Sequence, residues 1–215
     1  MGQFFHVHPK DPQPRLIAQA VAVVRAGGLI AYPTDSCYAL GCHMGNKTAM
    51  ERIRRIRQID PPKHFTLLCR DLSEIASYAR VDNSAYRLLR SLTPGPYTFV
   101  LKATREVPRR LQDPRRKTVG IRIPDQIIAQ ALLRSLGEPL MSSTLIPPGA
   151  DLPMTDPEAI QESLGDQIEL VIDGGPGGIE PTTVIDLTSD LPRLLRRGLG
   201  DAPGIDFDSQ TGGSP

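Results

Sequence analysis

The chain has no tryptophan, only 5% aromatic residues and just three cysteines in 215 residues. A core short of aromatic rings must be built from Leu, Ile, Val and Ala, which suits helices packed on a sheet. Cys37, Cys42 and Cys69 are odd in number. That argues against a secreted disulfide scaffold and predicts buried thiols in a reducing compartment. Cys37, Cys42 and His43 have no second ligand pair at a workable spacing, so no metal site is expected. No apolar run approaches the roughly 20 residues that a membrane span needs, and no signal peptide opens the chain. A cytoplasmic protein is expected. Also missing are a Walker-type phosphate loop, a completed dinucleotide fingerprint at Gly174–Gly178, a nucleophile elbow and a paired-histidine motif. A nucleotide site here would have to rely on side-chain cations and hydroxyls.

What is present is ordinary in bulk and uneven in detail. A hydrophobic fraction of 40% and a charged fraction of 23% suffice for one folded core. Net charge is only +1, so the protein is not globally basic. Yet Arg52, Arg54, Arg55 and Arg57 cluster, as do Arg109, Arg110, Arg115, Arg116 and Lys117, and Arg196–Arg197 form a third group. Such clusters attract phosphate. For the first, a solvated helix face is an equal alternative; the second reads as a Pro-punctuated solvated loop.

Periodicity predicts interspersed strands and helices. Strands are expected at 4–8, 29–32, 37–41, 65–69, 97–102, 118–123, 139–144, 168–172, 182–187 and 193–196. Helices are expected at 15–25, 72–79, 83–92 and 157–164, with one opened by Pro124 and Asp125 and ended by Gly137. Another begins near Asn46–Thr48, where Thr48 and Glu51 have capping-box spacing, and is closed by Asp60 ahead of Pro61–Pro62. Without strict βαβ alternation, the fold class is α/β with an open, twisted, mixed sheet and flanking helices. Residues 1–200 read as one domain, and the polar stretch 201–215 as a disordered tail.

Arg57 is the informative residue. It falls four residues after Ile53, inside the apolar stripe of Ala49, Ile53 and Ile56. A guanidinium there must snorkel, pair or bind something, and an internal salt bridge is the simplest outcome. Arg55 points away from it if the helix stays regular. Thr118 and Arg122 share one strand face, while Ser142–Ser143–Thr144 and Thr182–Thr183 put hydroxyls at strand ends.

Several segments together resemble the YrdC-like family of threonylcarbamoyl-AMP synthases, and closely its YciO branch. They are Tyr32–Gly41 (YPTDSCYALG), Pro94–Thr98 (PGPYT), Val119–Pro124 (VGIRIP), Thr182–Asp186 (TTVID) and Arg196–Gly198 (RRG). The resemblance implies a nucleotidyltransferase with a YrdC-like twisted open sheet and a concave positive face. The implied reaction joins L-threonine and bicarbonate, adenylates the carbamate with ATP and Mg²⁺, and releases pyrophosphate for tRNA adenosine-37 modification. An alternative implied role is a double-stranded RNA- or tRNA-binding module in RNA or ribosome maturation.

Residue by residue, the resemblance implies substrate-binding positions at Thr34, Arg122, Ser143 and Thr183, with Thr34, Arg122 and Thr183 on the threonine side and Ser143 where the Ser-x-Asn motif begins. It gives Arg55 and Arg57 the catalytic, phosphate-holding Lys-x-Arg positions, and makes Thr118 and Arg196 nucleotide contacts. Two departures stand out: Arg55 replaces a lysine, and Leu145 stands where the family's Ser-x-Asn motif has asparagine, implying reduced activity. The segment after Arg57 is also longer, with Phe65-Thr66-Leu67 at its end.

Overall fold

A computed structural model describes residues 2–58 and 65–206. Its strands are β1 (Gln3–His6), β2 (Ile30–Tyr32), β3 (Ala39–His43), β4 (Thr66–Leu68), β5 (Ala79–Arg80), β6 (Tyr97–Ala103), β7 (Thr118–Arg122), β8 (Leu140–Thr144), β9 (Leu170–Asp173), β10 (Thr183–Asp186) and β11 (Arg193–Arg196). The helices are α1 (Pro14–Arg25), α2 (Lys47–Arg57), α3 (Leu72–Tyr78), α4 (Asn83–Leu92), α5 (Ile127–Leu136) and α6 (Pro157–Leu164), with a 3₁₀ turn at Arg109–Leu111. The expected elements are all found, with ends shifted by a few residues. The two-residue β5 and the 3₁₀ turn were not foreseen, because neither is long enough to show a period.

The strands form one open mixed sheet in the order β1-β9-β2-β3-β8-β4-β7-β6-β10-β11, with β5 paired to β6. β1–β9, β2–β9, β4–β7 and β6–β10 are parallel, and the remaining pairs antiparallel. This is the mixed open sheet that the irregular order of elements predicts.

Local chemistry sets the helix ends. Pro14 opens α1, where its missing N–H costs nothing. At α2 the cap is Asn46, whose side chain accepts from Ala49 N at 2.9 Å. The expected Thr48–Glu51 box does not form, because Asn46 already supplies the cap and Thr48 lies inside the helix. The helix stops at Arg57, since Gln58 takes a left-handed conformation at φ 47°. The expected stop at Asp60–Pro62 falls outside the described residues.

Helices cover the two faces unequally. On one face, α2, α3, α4 and α6 send Ala49, Met50, Ile53, Ile75, Ala85, Leu89 and Ile160 into a core with Leu67, Phe99, Leu101, Val119, Ile121, Met141 and Ile185. On the other, α1 and α5 pack through Ile17, Val21, Val24, Ile128, Leu132 and Leu136 over Ile30, Tyr32, Leu68, Leu140, Leu170 and Ile172. Those contacts reach from β1 only to β4. Among the described residues, the same face of β7, β6 and β10 therefore has no helix over it, and it carries the hydroxyl-bearing residues of the alternating strands. That bare half-face is where a ligand has room.

Residues 201–206, expected to begin the tail, instead pack against the domain. Ala202 is buried, Ile205 lies against the core, and Asp206 O accepts from Leu194 N at 2.9 Å. The rest of that stretch, 207–215, is outside the described residues.

Candidate active site

The bare half-face forms the floor of a cavity of about 490 Å³. Strand alternation builds it. Thr66 and Leu68 of β4, Thr98 and Val100 of β6, and Thr118, Gly120 and Arg122 of β7 face the cavity, while Leu67, Phe99, Val119 and Ile121 face the core. Gly120 sits at the middle of this floor. A Cβ added there would meet Thr66 Oγ1 and Thr98 Cγ2 at 3.5 Å, an ordinary contact. The fold does not require glycine at this point; its absent side chain adds depth to the cavity.

One wall is the loop after β2. Thr34 Oγ1 donates to Cys37 O at 2.7 Å and accepts from the N–H groups of Ser36 and Cys37 at 3.2 Å. The hydroxyl thus folds the loop into a tight turn and places Thr34, Ser36 and Cys37 on the cavity wall. Burial pushes the Cys37 thiol above its ordinary value, so it is neutral near pH 7. All three cysteines are buried and free, as expected.

Three arginines enter the cavity from different directions. Arg57, at the end of α2, donates from Nη1 to Ser143 Oγ at 2.8 Å and from Nε towards Ile146 O at 3.5 Å. Among the described residues its partners are neutral oxygens, not the carboxylate of a salt bridge. Arg196 of β11 donates to Thr182 O at 2.8 and 3.1 Å and to Thr182 Oγ1 at 3.1 Å. Burial lowers the pKa of both guanidiniums from the usual arginine value, yet arginine starts so high that both remain charged. The third, Arg122, is only 8% exposed in its side chain and pairs with Asp35 at 9%. Its Nη2 also lies 3.5 Å from Thr34 Oγ1.

The structure brings Thr34, Arg57, Thr118, Arg122, Ser143 and Arg196 together around one cavity. Two expected positions are not part of it. Arg55 is exposed on α2 and absent from the lining. Because the helix runs regularly to Arg57, residues two apart point to opposite sides. Thr183 is 1% exposed and faces the other side of β10, where its Oγ1 donates to Gly200 O and accepts from Gly198 N at 3.1 Å. Its neighbour Thr182 lines the cavity instead, with its hydroxyl 2.9 Å from that of Thr98.

Leu145 is corrected in the same way. Its side chain is 2% exposed and belongs to the core, so it does not leave a gap in the site. The residues on either side, Thr144 and Ile146, line the cavity. The apolar group at this edge of the site is therefore Ile146. Thr66, Thr98 and Ser36 are not among the sequence-predicted site residues, although Ser36 and Thr98 lie in the resembling segments; sheet alternation places the two threonines and the loop after β2 places Ser36.

A second hollow, about 830 Å³, lies beyond the far end of β6. Arg80, Arg105, Arg109 and Lys117 line it together with Asp113. Residues 102–117 carry seven cations and two carboxylates, so the small net charge of the chain hides a strongly positive rim.

The open mixed α/β sheet is shared with the solved proteins it matches. The chain belongs to the Sua5/YciO/YrdC family, whose model, described as "Telomere recombination", matches residues 22–198. It is 57% identical to YciO of Escherichia coli K12 over 201 residues, covering 94% of this chain and 98% of that protein. The crystal structure of E. coli YciO superposes with a TM-score of 0.90 over the same shares of the two chains. The threonylcarbamoyl-AMP synthase of Vibrio vulnificus YJ016 is 32% identical over 186 residues, covering 85% of this chain and 98% of that enzyme. Sua5 of P. abyssi, solved complexed with L-threonine, is 28% identical with a TM-score of 0.80, covering 91% of this chain and 57% of Sua5.

Proposed function

We propose that this protein is a threonylcarbamoyl-AMP synthase-type enzyme of the cytoplasm, with catalysis by charge and position. The threonine amine attacks the bicarbonate carbon and water leaves, giving a carbamate. A carbamate oxygen then attacks the α-phosphorus of ATP, and pyrophosphate leaves. The adenylate would serve tRNA adenosine-37 modification. A carbamate and a triphosphate repel each other: two unit charges about 4 Å apart cost roughly 4 kcal/mol at an effective dielectric near 20. Fixed guanidiniums remove that barrier without reorganising.

The observation that carries this reading is the convergence of Arg57, Arg122 and Arg196 on one hydroxyl-lined cavity. Arg122 and Thr34 form the end suited to the threonine carboxylate. Arg57 with Ser143, and Arg196 with Thr118 and Thr182, form the ends suited to phosphates. No carboxylate or histidine stands among the described lining residues, so the wall offers cations and hydroxyls rather than a general base. The same lining gives Mg²⁺ no carboxylate ligands, and a divalent ion would enter bound to phosphate oxygens. Pyrophosphate release that needs threonine, bicarbonate and ATP together tests the reading; release without threonine contradicts it.

A second reading, an RNA-binding face, is favoured by the hollow around Arg80, Arg105, Arg109 and Lys117. Phosphate contacts there release counterions, so affinity for duplex RNA must fall steeply with salt. Salt-insensitive binding, or none, removes this reading and leaves the first untouched.

A further inference from the structure

We propose that Asp35 is a positioning residue that locks the Arg122 guanidinium at the cavity wall, where it is held ready for an amino-acid carboxylate. The inference rests on the substrate reading above for its ligand and on geometry alone for the lock. Both carboxylate oxygens of Asp35 are in use: Oδ1 accepts from Arg122 Nη2, and Oδ2 accepts from Asp125 N at 3.0 Å. One side chain thereby ties the loop after β2 to the turn that follows β7. Arg122 lines the cavity and Asp35 does not, so the carboxylate stands behind the cation.

Two further features separate a lock from a simple ion pair. Arg122 Nε is buried and has no hydrogen-bond partner among the described residues. A buried donor left unmet is unfavourable unless something accepts from it, and the pairing with Asp35 occupies Nη2 while leaving Nε unused. The unmet donor marks a guanidinium held in place by Asp35 rather than by a full set of its own hydrogen bonds. With Nη2 tied to Asp35, the guanidinium is fixed at the cavity wall. The negative charge of Asp35 also offsets a buried cation when no substrate is present.

The test compares wild type with Asp35→Asn and Asp35→Glu, each first shown to melt cooperatively. Asparagine has one acceptor and one donor where Asp35 has two acceptors, so it cannot serve both Arg122 Nη2 and Asp125 N–H. The glutamate variant keeps the charge and displaces it, and it carries the test alone if the asparagine variant does not fold. The threonine KM is expected to rise about tenfold or more in Asp35→Asn and less in Asp35→Glu, while the KM for ATP stays within about twofold. The slowly exchanging Arg122 Nε–H resonance of the wild type is expected to be lost in Asp35→Asn. A threonine KM that is unchanged or lower, or one that rises in step with that for ATP, overturns the proposal. If wild type shows no threonine dependence at all, the substrate reading fails. The resonance then decides the lock by itself: loss in the variant upholds it, and persistence overturns it.

Discussion

Arg57 Nη1 donates to Ser143 Oγ at 2.8 Å, which joins the last residue of α2 to the end of β8 at the mouth of the cavity. Among the described residues, a cation in the apolar stripe of a helix is thus held by neutral oxygens. Replacing Arg57 with alanine is expected to lower kcat/KM by about 10- to 100-fold, as for a lost charged hydrogen bond of roughly 1.5–3 kcal/mol. The melting temperature should move little, because Arg57 is only partly buried. Arg55→Ala serves as the control: it is exposed outside the cavity and should leave turnover unchanged. Steady-state pyrophosphate release reads both.

Leu145 and Ile146 are neighbours with opposite surroundings. Leu145→Asn buries an amide in the core and is expected to cost about 1–3 kcal/mol of stability, with no gain in activity. Ile146→Asn puts the same amide on the cavity wall and is expected to raise turnover severalfold, the yield of about one added hydrogen bond of 0.5–1.5 kcal/mol. Denaturant melts and turnover of the two variants separate these effects, and the reverse pattern would relocate the site edge.

Thr182 and Thr183 make a parallel pair. Thr183→Val removes the acceptor of Gly198 N–H and the donor to Gly200 O. It is expected to destabilise the protein by about 1–3 kcal/mol while substrate KM values hold. Thr182→Val frees Arg196 from one of its contacts and is expected to change the KM for ATP with little effect on melting.

Asp186 governs part of the acid stability. Burial alone would raise its pKa, but hydrogen bonds from Thr188 and the Arg116 guanidinium outweigh burial and hold the carboxyl below its ordinary value. Arg116 Nη2 lies 2.6 Å from Oδ2. A group depressed in the folded state binds fewer protons there than in the unfolded chain. Its stabilisation is therefore complete above the unfolded value of about 3.9 and disappears as pH falls through the folded value. Asp186→Asn is expected to lower stability at pH 7 and to flatten the loss of stability below about pH 4. An unchanged acid limb in urea melts across pH would contradict this.

Much of the architecture was legible because it depends on local periods. The alternation of Thr118, Val119, Gly120, Ile121 and Arg122 predicts a strand with one polar face, and that face became the cavity floor. Asn83–Leu92 and Pro157–Leu164 are found with the bounds expected, and in the structure Asp82 and Asp156 cap them. What stayed hidden depends on a one-residue register or on distant segments. Thr182 could not be told from Thr183, nor Ile146 from Leu145, without knowing which face the helices leave bare. The resemblance pairs Arg55 with Arg57, but a helix regular as far as Arg57 sends the two to opposite sides. Asp35 carried no signal, since its partners Arg122 and Asp125 lie some 90 residues away in sequence.

The convergence of three arginines on one cavity is tested most directly by calorimetric titration with L-threonine in the presence and absence of ATP, using wild type and Arg57→Ala. The account predicts that wild type binds both ligands, with ATP tightening threonine, and that Arg57→Ala loses ATP and the coupling but retains threonine. Equal threonine binding with and without ATP in both proteins, or ATP binding indifferent to Arg57, would show that the two anions do not meet in this cavity.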